Sequence, residues 1–278
     1  MTAIVRHGFR AARRAAERLR DALGWQGSSP LLPPLALRDV GPSDFQETGR
    51  EFLGHMVSLG SLQPSQAVLE IGCGPGRMAL PLTSYLSTEG RYVGVDVVAK
   101  AVAWCRRNIS RRHPNFTFHH GDVFNQRYNP SGRIQAHDYT FPFKDHSFDF
   151  VFLTSVFTHM YPKGIKRYLY EIARMLRPTG RVFCTFFMLN PEQRALAEMG
   201  RNDIDFRFDR GIYRIRNHET PESAVALEEK ALGAMFVEAG LRIQGPIKFG
   251  SWSGRGDGLS YQDIVLLVPT ASLPEERR

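Results

Sequence analysis

The segment Val68-Leu69-Glu70-Ile71-Gly72-Cys73-Gly74-Pro75-Gly76 constrains this chain more than any other. Four strand-forming positions run into glycines at 72, 74 and 76, a spacing that neither a continuing strand nor a helix tolerates well. A buried strand ending in such a turn, followed by a helix, lets a ligand approach the main chain closely and offers it unpaired N–H groups. About twenty residues later, Gly94-Val95-Asp96-Val97 ends a second strand-like run on a carboxylate, where an acid can accept hydrogen bonds from both hydroxyls of a ribose. A glycine turn alone is a weak signal. The turn and the acid together, in a chain of alternating strand and helix patterns, point to a nucleoside-type ligand.

That alternation runs through most of the sequence. A helical face at Asp44 to Leu59 precedes strands expected at Ala67 to Ile71, Tyr92 to Val95, Asn115 to His119, Phe148 to Leu153 and Arg181 to Phe187. Helices are expected after Gly76, at Ala99 to Ser110 and at Ile165 to Leu176, with Arg177-Pro178-Thr179-Gly180 as the turn before the fifth strand. Short β-rich runs between helical patterns predict a parallel sheet covered on both faces. From Asn190 to Thr220 the pattern is charged and irregular. Within it Ile204 to Phe208 and Ile212 to Ile215 read as a hairpin around Asp209-Arg210-Gly211. A helix is expected from Pro221 to Ala239, closed by Gly240, then strands at Leu241 to Phe249 and Asp263 to Val268. The Gly-rich segment Gly250 to Ser260 reads as too flexible for core.

At the other end, six arginines fall within the first twenty residues, on a rough apolar stripe of Val5, Phe9, Ala12, Ala16, Leu19 and Leu23. Residues 1–40 therefore read as a basic N-terminal helix and linker, and 41–278 as the main domain with a cap insertion at 190–220. The arm suits packing on the domain or on a second subunit, and its basic amphipathic pattern also suits peripheral contact with a membrane surface. Much of the net charge of +8 comes from this arm, so it says little about the domain. Three separated cysteines, Cys73, Cys105 and Cys184, fit a reducing, cytoplasmic setting.

The segment at Val68 to Gly76 resembles motif I of the class I S-adenosylmethionine-dependent methyltransferases, and Asp96 matches their ribose-binding acid. Phe141-Pro142-Phe143-Lys144-Asp145-His146-Ser147-Phe148-Asp149-Phe150-Val151 resembles the fourth-strand motif of the branch that includes small-molecule and sugar enzymes. Ser155-Val156-Phe157-Thr158-His159 and Glu171 to Gly180 extend the similarity. The resemblance implies an α/β, doubly wound Rossmann-like fold of seven strands, order 3-2-1-4-5-7-6 with strand 7 antiparallel. It implies S-adenosyl-L-methionine as cofactor, lying across strands 1 and 4, and S-adenosyl-L-homocysteine as product. Glu70, Gly72 and Gly74 would then border the methionine end, with Cys73, Gly76 and Arg77 completing the turn. Asp96 would hold ribose and Val97 would lie near adenine. Asp122 with Val123, or Asp138, would meet the adenine amino group, residues 123–137 being an insertion between the two acids. Thr154 and Ser155, after strand 4, complete the cofactor set. The sequence departs from the common Gly-Gly before strand 5 with Thr179-Gly180.

Methyl transfer from an activated donor needs alignment above all, and a hydroxyl acceptor must also lose a proton. His159, just after strand 4, is the candidate base because an imidazole titrates near neutrality; a structural or substrate-orienting role is the alternative. Tyr161, Arg207, Arg210, Tyr213 and Arg214 are candidate substrate contacts, and Trp252 with Phe249 offers a stacking surface. His119, His120 and Asp122 do not make a metal site, because neighbouring strand residues point to opposite faces. Three functions follow in order: transfer of methyl to a small molecule, favoured as a hydroxyl of a sugar, glycolipid or secondary metabolite; RNA methylation, motivated by charge but without an RNA-binding element; and a noncatalytic adaptor that kept the fold. The visible single nucleoside unit, with Glu70 before the turn, argues against a dinucleotide.

Overall fold

The computed structural model describes residues 31–38 and 44–270. The expected arm helix at 3–23, and the membrane contact proposed for it, lie outside the described residues. Among the described residues no helix is long and apolar enough to cross a membrane.

Helix α1 (Phe45–Ser58) opens where Asp44 accepts the Gln46 and Glu47 N–H groups on its Oδ1, at 3.0 and 2.9 Å. Such a cap satisfies donors that the first turn would otherwise leave unpaired. Strand β1 (Ala67–Ile71) follows, then α2 (Ala79–Tyr85), β2 (Arg91–Asp96) and α3 (Ala99–Cys105), which widens into a π-turn over Arg106–Ser110. Next come β3 (Phe116–His120), β4 (Phe148–Leu153), α4 (Pro162–Met175) and β5 (Leu176–Phe186). The chain continues through β6 (Met188–Leu189), α5 (Pro191–Glu198), β7 (Phe208–Asp209), β8 (Tyr213–Ile215) and β9 (Val225–Glu228). It finishes with α6 (Glu229–Glu238), β10 (Leu241–Ile243) and β11 (Asp263–Pro269).

The main sheet has seven strands in the order β3-β2-β1-β4-β5-β11-β10. Strands β1 to β5 are mutually parallel, whereas β11 runs antiparallel to both β5 and β10. Counted within this sheet, that is the expected order 3-2-1-4-5-7-6 with the seventh strand reversed. All five residues of β1 are buried because helices cover both faces. Leu69 and Ile71 join the cluster with Ile165, Leu169 and Ile172 of α4, and Val68 joins the opposite cluster with Met56, Leu82 and Val102. Each such aliphatic side chain contributes about 1.5–3 kcal/mol on burial. Because all five parallel strands end on one edge, their carboxyl ends deliver Gly72, Asp96, Gly121 and Thr154 to the same side of the sheet.

A second, four-stranded sheet of order β6-β9-β8-β7 is built from residues 188 to 228. The hairpin at Asp209-Arg210-Gly211 forms, with Phe208 opposite Ile215, but Ile204 to Arg207 stay outside its strands. The expected helix from Pro221 divides. Pro221–Ser223 is a 3-10 turn, Val225 to Leu227 pair with Tyr213 to Ile215 as strand, and the helix begins only at Glu229. Val225, Ala226 and Leu227 are buried between the partners of β9, which outweighs their position in a helix-like pattern. Gly240 does close the helix, in a left-handed conformation at φ 74°. The last antiparallel pair is shorter than expected on its first strand, which ends at Ile243. Arg177 to Gly180 are not a turn before the strand but an irregular stretch within β5: its partner steps from Phe148 opposite Leu176 to Phe150 opposite Arg181.

Gly250 to Ser260 also departs from expectation. Trp252 is only 2% exposed and packs with Phe187 and Phe206 in a third cluster. Its Nε1–H donates to Asp263 Oδ2 at 3.0 Å, and the same carboxylate accepts the Met188 and Gly250 N–H groups at 2.7 Å each. One buried carboxylate thus ties β11 to the entry of the second sheet and to the glycine-rich segment. Burial nevertheless wins over these donors and pushes its pKa up to about 6.

Arg174 of α4 fastens the Phe141 to Asp145 stretch in the same way. It donates to the Phe141 and Phe143 carbonyls and pairs with Glu171 and Asp145, while Glu171 accepts the Phe141 N–H at 2.9 Å. Since Glu171 is buried, Arg174→Met leaves its carboxylate with only the Phe141 N–H and the more distant Arg167 guanidinium at 3.5 Å. Urea denaturation should show a loss of about 3 kcal/mol; a change under about 0.5 kcal/mol, the usual size for a surface pair, would contradict this role.

Candidate functional site

The glycine turn is set by what crowds it. Gly72 and Gly76 have φ of 82° and 87°, in the left-handed region that side chains resist. A Cβ at Gly72 would lie 2.3 Å from Val156 Cγ2, and one at Gly76 2.7 Å from Ile109 Cδ1. Gly72 and Cys73 both donate to the Val95 carbonyl, at 2.7 and 3.0 Å, which locks the turn to the end of β2. The Gly74 N–H then donates to Asp96 Oδ2 at 2.6 Å, and Val98 N–H to Asp96 Oδ1 at 2.7 Å. A carboxylate has about four acceptor positions, so with the Val97 N–H also acting on it Asp96 retains capacity for a ligand hydroxyl. Burial raises the Asp96 pKa, partly offset by these N–H donors.

Glu70, one residue before the turn, is buried and accepts the Tyr92 hydroxyl on Oε2. Desolvation pushes its pKa up to about 8 against the pull of Tyr92 and Arg77. The Arg77 guanidinium is itself largely desolvated, which lowers its pKa, while Glu70, Tyr128 and Glu51 act in the other sense. Glu70 and Arg77 thus influence each other electrostatically across the turn. Cys73 is buried and its thiol is held neutral by desolvation, so it acts as packing.

On the β3 side, Gly121 donates to the Asp96 carbonyl at 2.9 Å, which puts Asp122 just beyond Asp96 on the same edge. Asp122 accepts from Arg133 through both backbone and side chain, and this holds its carboxyl below the usual range. Asp138 is exposed next to His137. Residues 123–137 fold back on the end of β3 through Phe124 N–H to Ile134 O at 2.8 Å and Ile134 N–H to Asp122 O at 3.1 Å. Val97 lies beside this region, its carbonyl 3.1 Å from His120 Nε2.

The insertion also reaches the other end of the site. Asn125 Oδ1 caps a turn by accepting the Arg127 and Tyr128 N–H groups, and Tyr128 meets His159 edge-on with ring centroids 5.4 Å apart. His159 sits in the 3-10 turn Phe157–His159 after β4. Its Nδ1 lies 2.8 Å from the Glu222 carbonyl, and a carbonyl can only accept, so Nδ1 carries the proton and Nε2 is the basic nitrogen. Burial lowers the His159 pKa. The Glu222 carboxylate accepts the Gln126 N–H at 2.8 Å, joining the insertion to the second sheet. Tyr161 packs on Tyr213 at 5.9 Å, and both Glu222 and Arg210 influence its ionisation.

The structure thus brings His159, Tyr161 and Tyr213 together and adds Tyr128, Asn125 and Glu222, which the sequence did not single out; Arg210 is exposed, its guanidinium 3.0 Å from His218 Nδ1. Residues 123–137 were visible as an insertion, but nothing in their spacing marks Tyr128. The other expected substrate contacts lie elsewhere. Arg207 is exposed and paired with Asp205, and Arg214 is paired with Asp209. Trp252 is buried under the second sheet, and the Arg255 guanidinium lies over one face of the Phe249 ring at 4.9 Å.

This edge carries a glycine turn, an acid on β2 and a histidine after β4, and a family model described as a methyltransferase domain matches residues 68–180. Residues 68–180 are thus similar to a methyltransferase domain, within a sheet of the corresponding strand order. The chain is 27% identical over 132 residues to the ubiquinone/menaquinone biosynthesis C-methyltransferase UbiE of Wigglesworthia glossinidia brevipalpis, covering 48% of this chain and 47% of the relative. A match to an uncharacterized transposon protein of Streptomyces fradiae, at 26% identity, covers 49% of this chain and 34% of the relative. The chain thus spans half or less of the curated relatives it matches. Among solved structures, the PH0226 protein of Pyrococcus horikoshii OT3 aligns with TM-score 0.57 at 15% identity, covering 84% of this chain and 95% of the other. Magnesium protoporphyrin IX methyltransferase (ChlM) of Synechocystis PCC 6803, solved with bound S-adenosylhomocysteine, aligns with TM-score 0.52 at 17% identity, covering 96% and 98%. These last two likenesses concern the fold.

The residues present fit S-adenosylmethionine. Asp96, a buried acid at the end of β2, keeps acceptor capacity for ribose, and the left-handed Gly72 and Gly76 leave room for the amino-acid moiety beside the turn. When bound, the cofactor supplies a methyl group already activated on a sulfonium.

Two outcomes are expected. Asp96→Asn turns an NH2 toward a backbone donor and removes a hydroxyl partner, so calorimetry should find S-adenosylhomocysteine bound at least about tenfold more weakly; equal affinity would remove Asp96 from the site. Glu70 should also tilt stability with pH. Below its ordinary value of 4.5 the carboxyl is protonated in both states. As pH rises toward about 8 the unfolded chain ionises while the folded one holds its proton, so stability falls across that window. Glu70→Gln should flatten this slope in denaturant titrations from pH 5 to 8; an unchanged slope would contradict the raised pKa.

Proposed function

We propose that the protein transfers a methyl group from S-adenosylmethionine to a small molecule, and that the accepting atom is a hydroxyl oxygen of a sugar, glycolipid or other secondary metabolite. One observation carries the oxygen: His159 donates its Nδ1–H in a hydrogen bond to the Glu222 carbonyl and so keeps Nε2 as a proton acceptor, in the turn that follows β4. A hydroxyl is a poor nucleophile until its proton leaves, and a positioned imidazole contributes about 10²–10⁴-fold to such a step. His159 takes that proton, Tyr128 holds the ring edge-on, and Tyr161 and Tyr213 line the approach with planar and hydrogen-bonding groups. The named relatives support a small-molecule acceptor, since they are a ubiquinone/menaquinone biosynthesis C-methyltransferase and a magnesium protoporphyrin IX methyltransferase. Residues 188–228 would act as the cap over that acceptor.

The test is a screen of hydroxyl, amine and carbon acceptors, read by mass spectrometry of the product and by S-adenosylhomocysteine release. Methylation confined to hydroxyls is expected. With that acceptor, His159→Ala should lower kcat by about 10²-fold or more while leaving S-adenosylhomocysteine affinity unchanged. The wild-type rate should fall only on the acid side, below the ordinary imidazole range, because burial lowers the His159 pKa. Methylation of amines or carbon alone, or a His159→Ala variant of full activity, would overturn the hydroxyl assignment.

A further inference from the structure

Ser155 has φ of 60°, a left-handed conformation unfavourable for any residue with a Cβ. Two residues beyond the matched 68–180 stretch hold it there. The Ser155 N–H donates to Thr185 Oγ1 at 2.8 Å, the Thr185 hydroxyl donates to Gln262 Oε1 at 2.7 Å, and the Ser155 hydroxyl donates to the same oxygen at 3.1 Å. Every proton in this set has one direction, so the three groups form a closed arrangement. Thr185 is fully buried on β5 and Gln262 immediately precedes β11. The contact therefore reaches the end of β4 from its neighbour β5 and from β11, the next strand beyond it.

What Ser155 supports is the next residue. Val156 lies so close to the glycine turn that its Cγ2 would be 2.3 Å from a Cβ at Gly72. The dihedral angles of Ser155 set the path of the backbone into Val156, so relaxing Ser155 moves the side chain that rests on Gly72.

We infer that Thr185 and Gln262 are positioning residues for the cofactor site: by fixing Ser155 in its left-handed conformation they seat Val156 on Gly72 and so set the shape of the glycine turn. This rests on the assignment of that turn to S-adenosylmethionine. Neither residue touches the turn itself. Their influence passes through Ser155 and Val156, and it makes cofactor affinity depend on strands β5 and β11.

The test is S-adenosylhomocysteine binding to the full chain by calorimetry, with melting temperature measured beside it. Thr185→Val keeps the volume and removes the hydroxyl; Gln262→Leu removes the shared acceptor. Each should weaken binding about tenfold, as expected for loss of buried hydrogen bonds at a strained position. Thr185→Ser, which keeps the hydroxyl, should bind like the wild type. Glycine adopts the left-handed conformation without support, so in a Ser155→Gly background Thr185→Val should cost no more than about twofold. A purely structural role predicts lower melting temperatures with unchanged affinity, or an equal loss in both backgrounds, and either result would overturn the inference. Failure of the wild type itself to bind S-adenosylhomocysteine would overturn the cofactor assignment and this inference with it.

Discussion

Steric exclusion at the end of β1 is the constraint on which the site depends. Val156 and Ile109 press on Gly72 and Gly76 so closely that neither position admits a Cβ, and both glycines also adopt left-handed angles that side chains resist. That conformation aims the Gly72, Cys73 and Gly74 N–H groups at β2, where the Val95 carbonyl and the Asp96 carboxylate receive them. The same packing thus shapes a ligand cradle and orients the acid beside it. Parallel pairing of β1 with both β2 and β4 is the reason three separate loops meet at this point.

The far half of the sheet has a different anchor. Asp263 accepts three donors from Met188, Gly250 and Trp252, and these belong to the entry of the second sheet and to the glycine-rich segment. Burying that carboxylate is unfavourable, as its raised pKa records, yet losing it would leave buried donors unpaired. The second sheet is also held across the site, where Glu222 accepts from Gln126 through its side chain and from His159 through its carbonyl. The glycine turn and Asp96 lie on the β1–β2 side and His159 on the β4 side, with the insertion at 123–137 touching both.

Much of the fold was legible in the sequence because buried parallel strands leave an unmixed signal. Ala67–Ile71 and Phe148–Leu153 form where the apolar runs placed them, and the strand order followed from the resemblance. Asp96 was legible because strand end and acid coincide. Elements set by distant partners were not. Val225-Ala226-Leu227 is an apolar run of a length that strand and helix share, and only pairing with β8 decides it. Trp252 lies in a glycine-rich stretch whose composition suggests a loose surface, but Asp263 and Phe187 bury it. Ser155 contacts Thr185 and Gln262 across 30 and 107 residues of sequence, and no local pattern announces a contact of that range.

The most direct measurement of the central claim is a crystal structure of the protein with S-adenosylhomocysteine. The account predicts the ribose hydroxyls on Asp96, the amino-acid moiety beside Gly72 to Arg77, and the sulfur directed toward the end of β4 and His159. A ligand bound elsewhere, or one whose ribose makes no contact with Asp96, would contradict it.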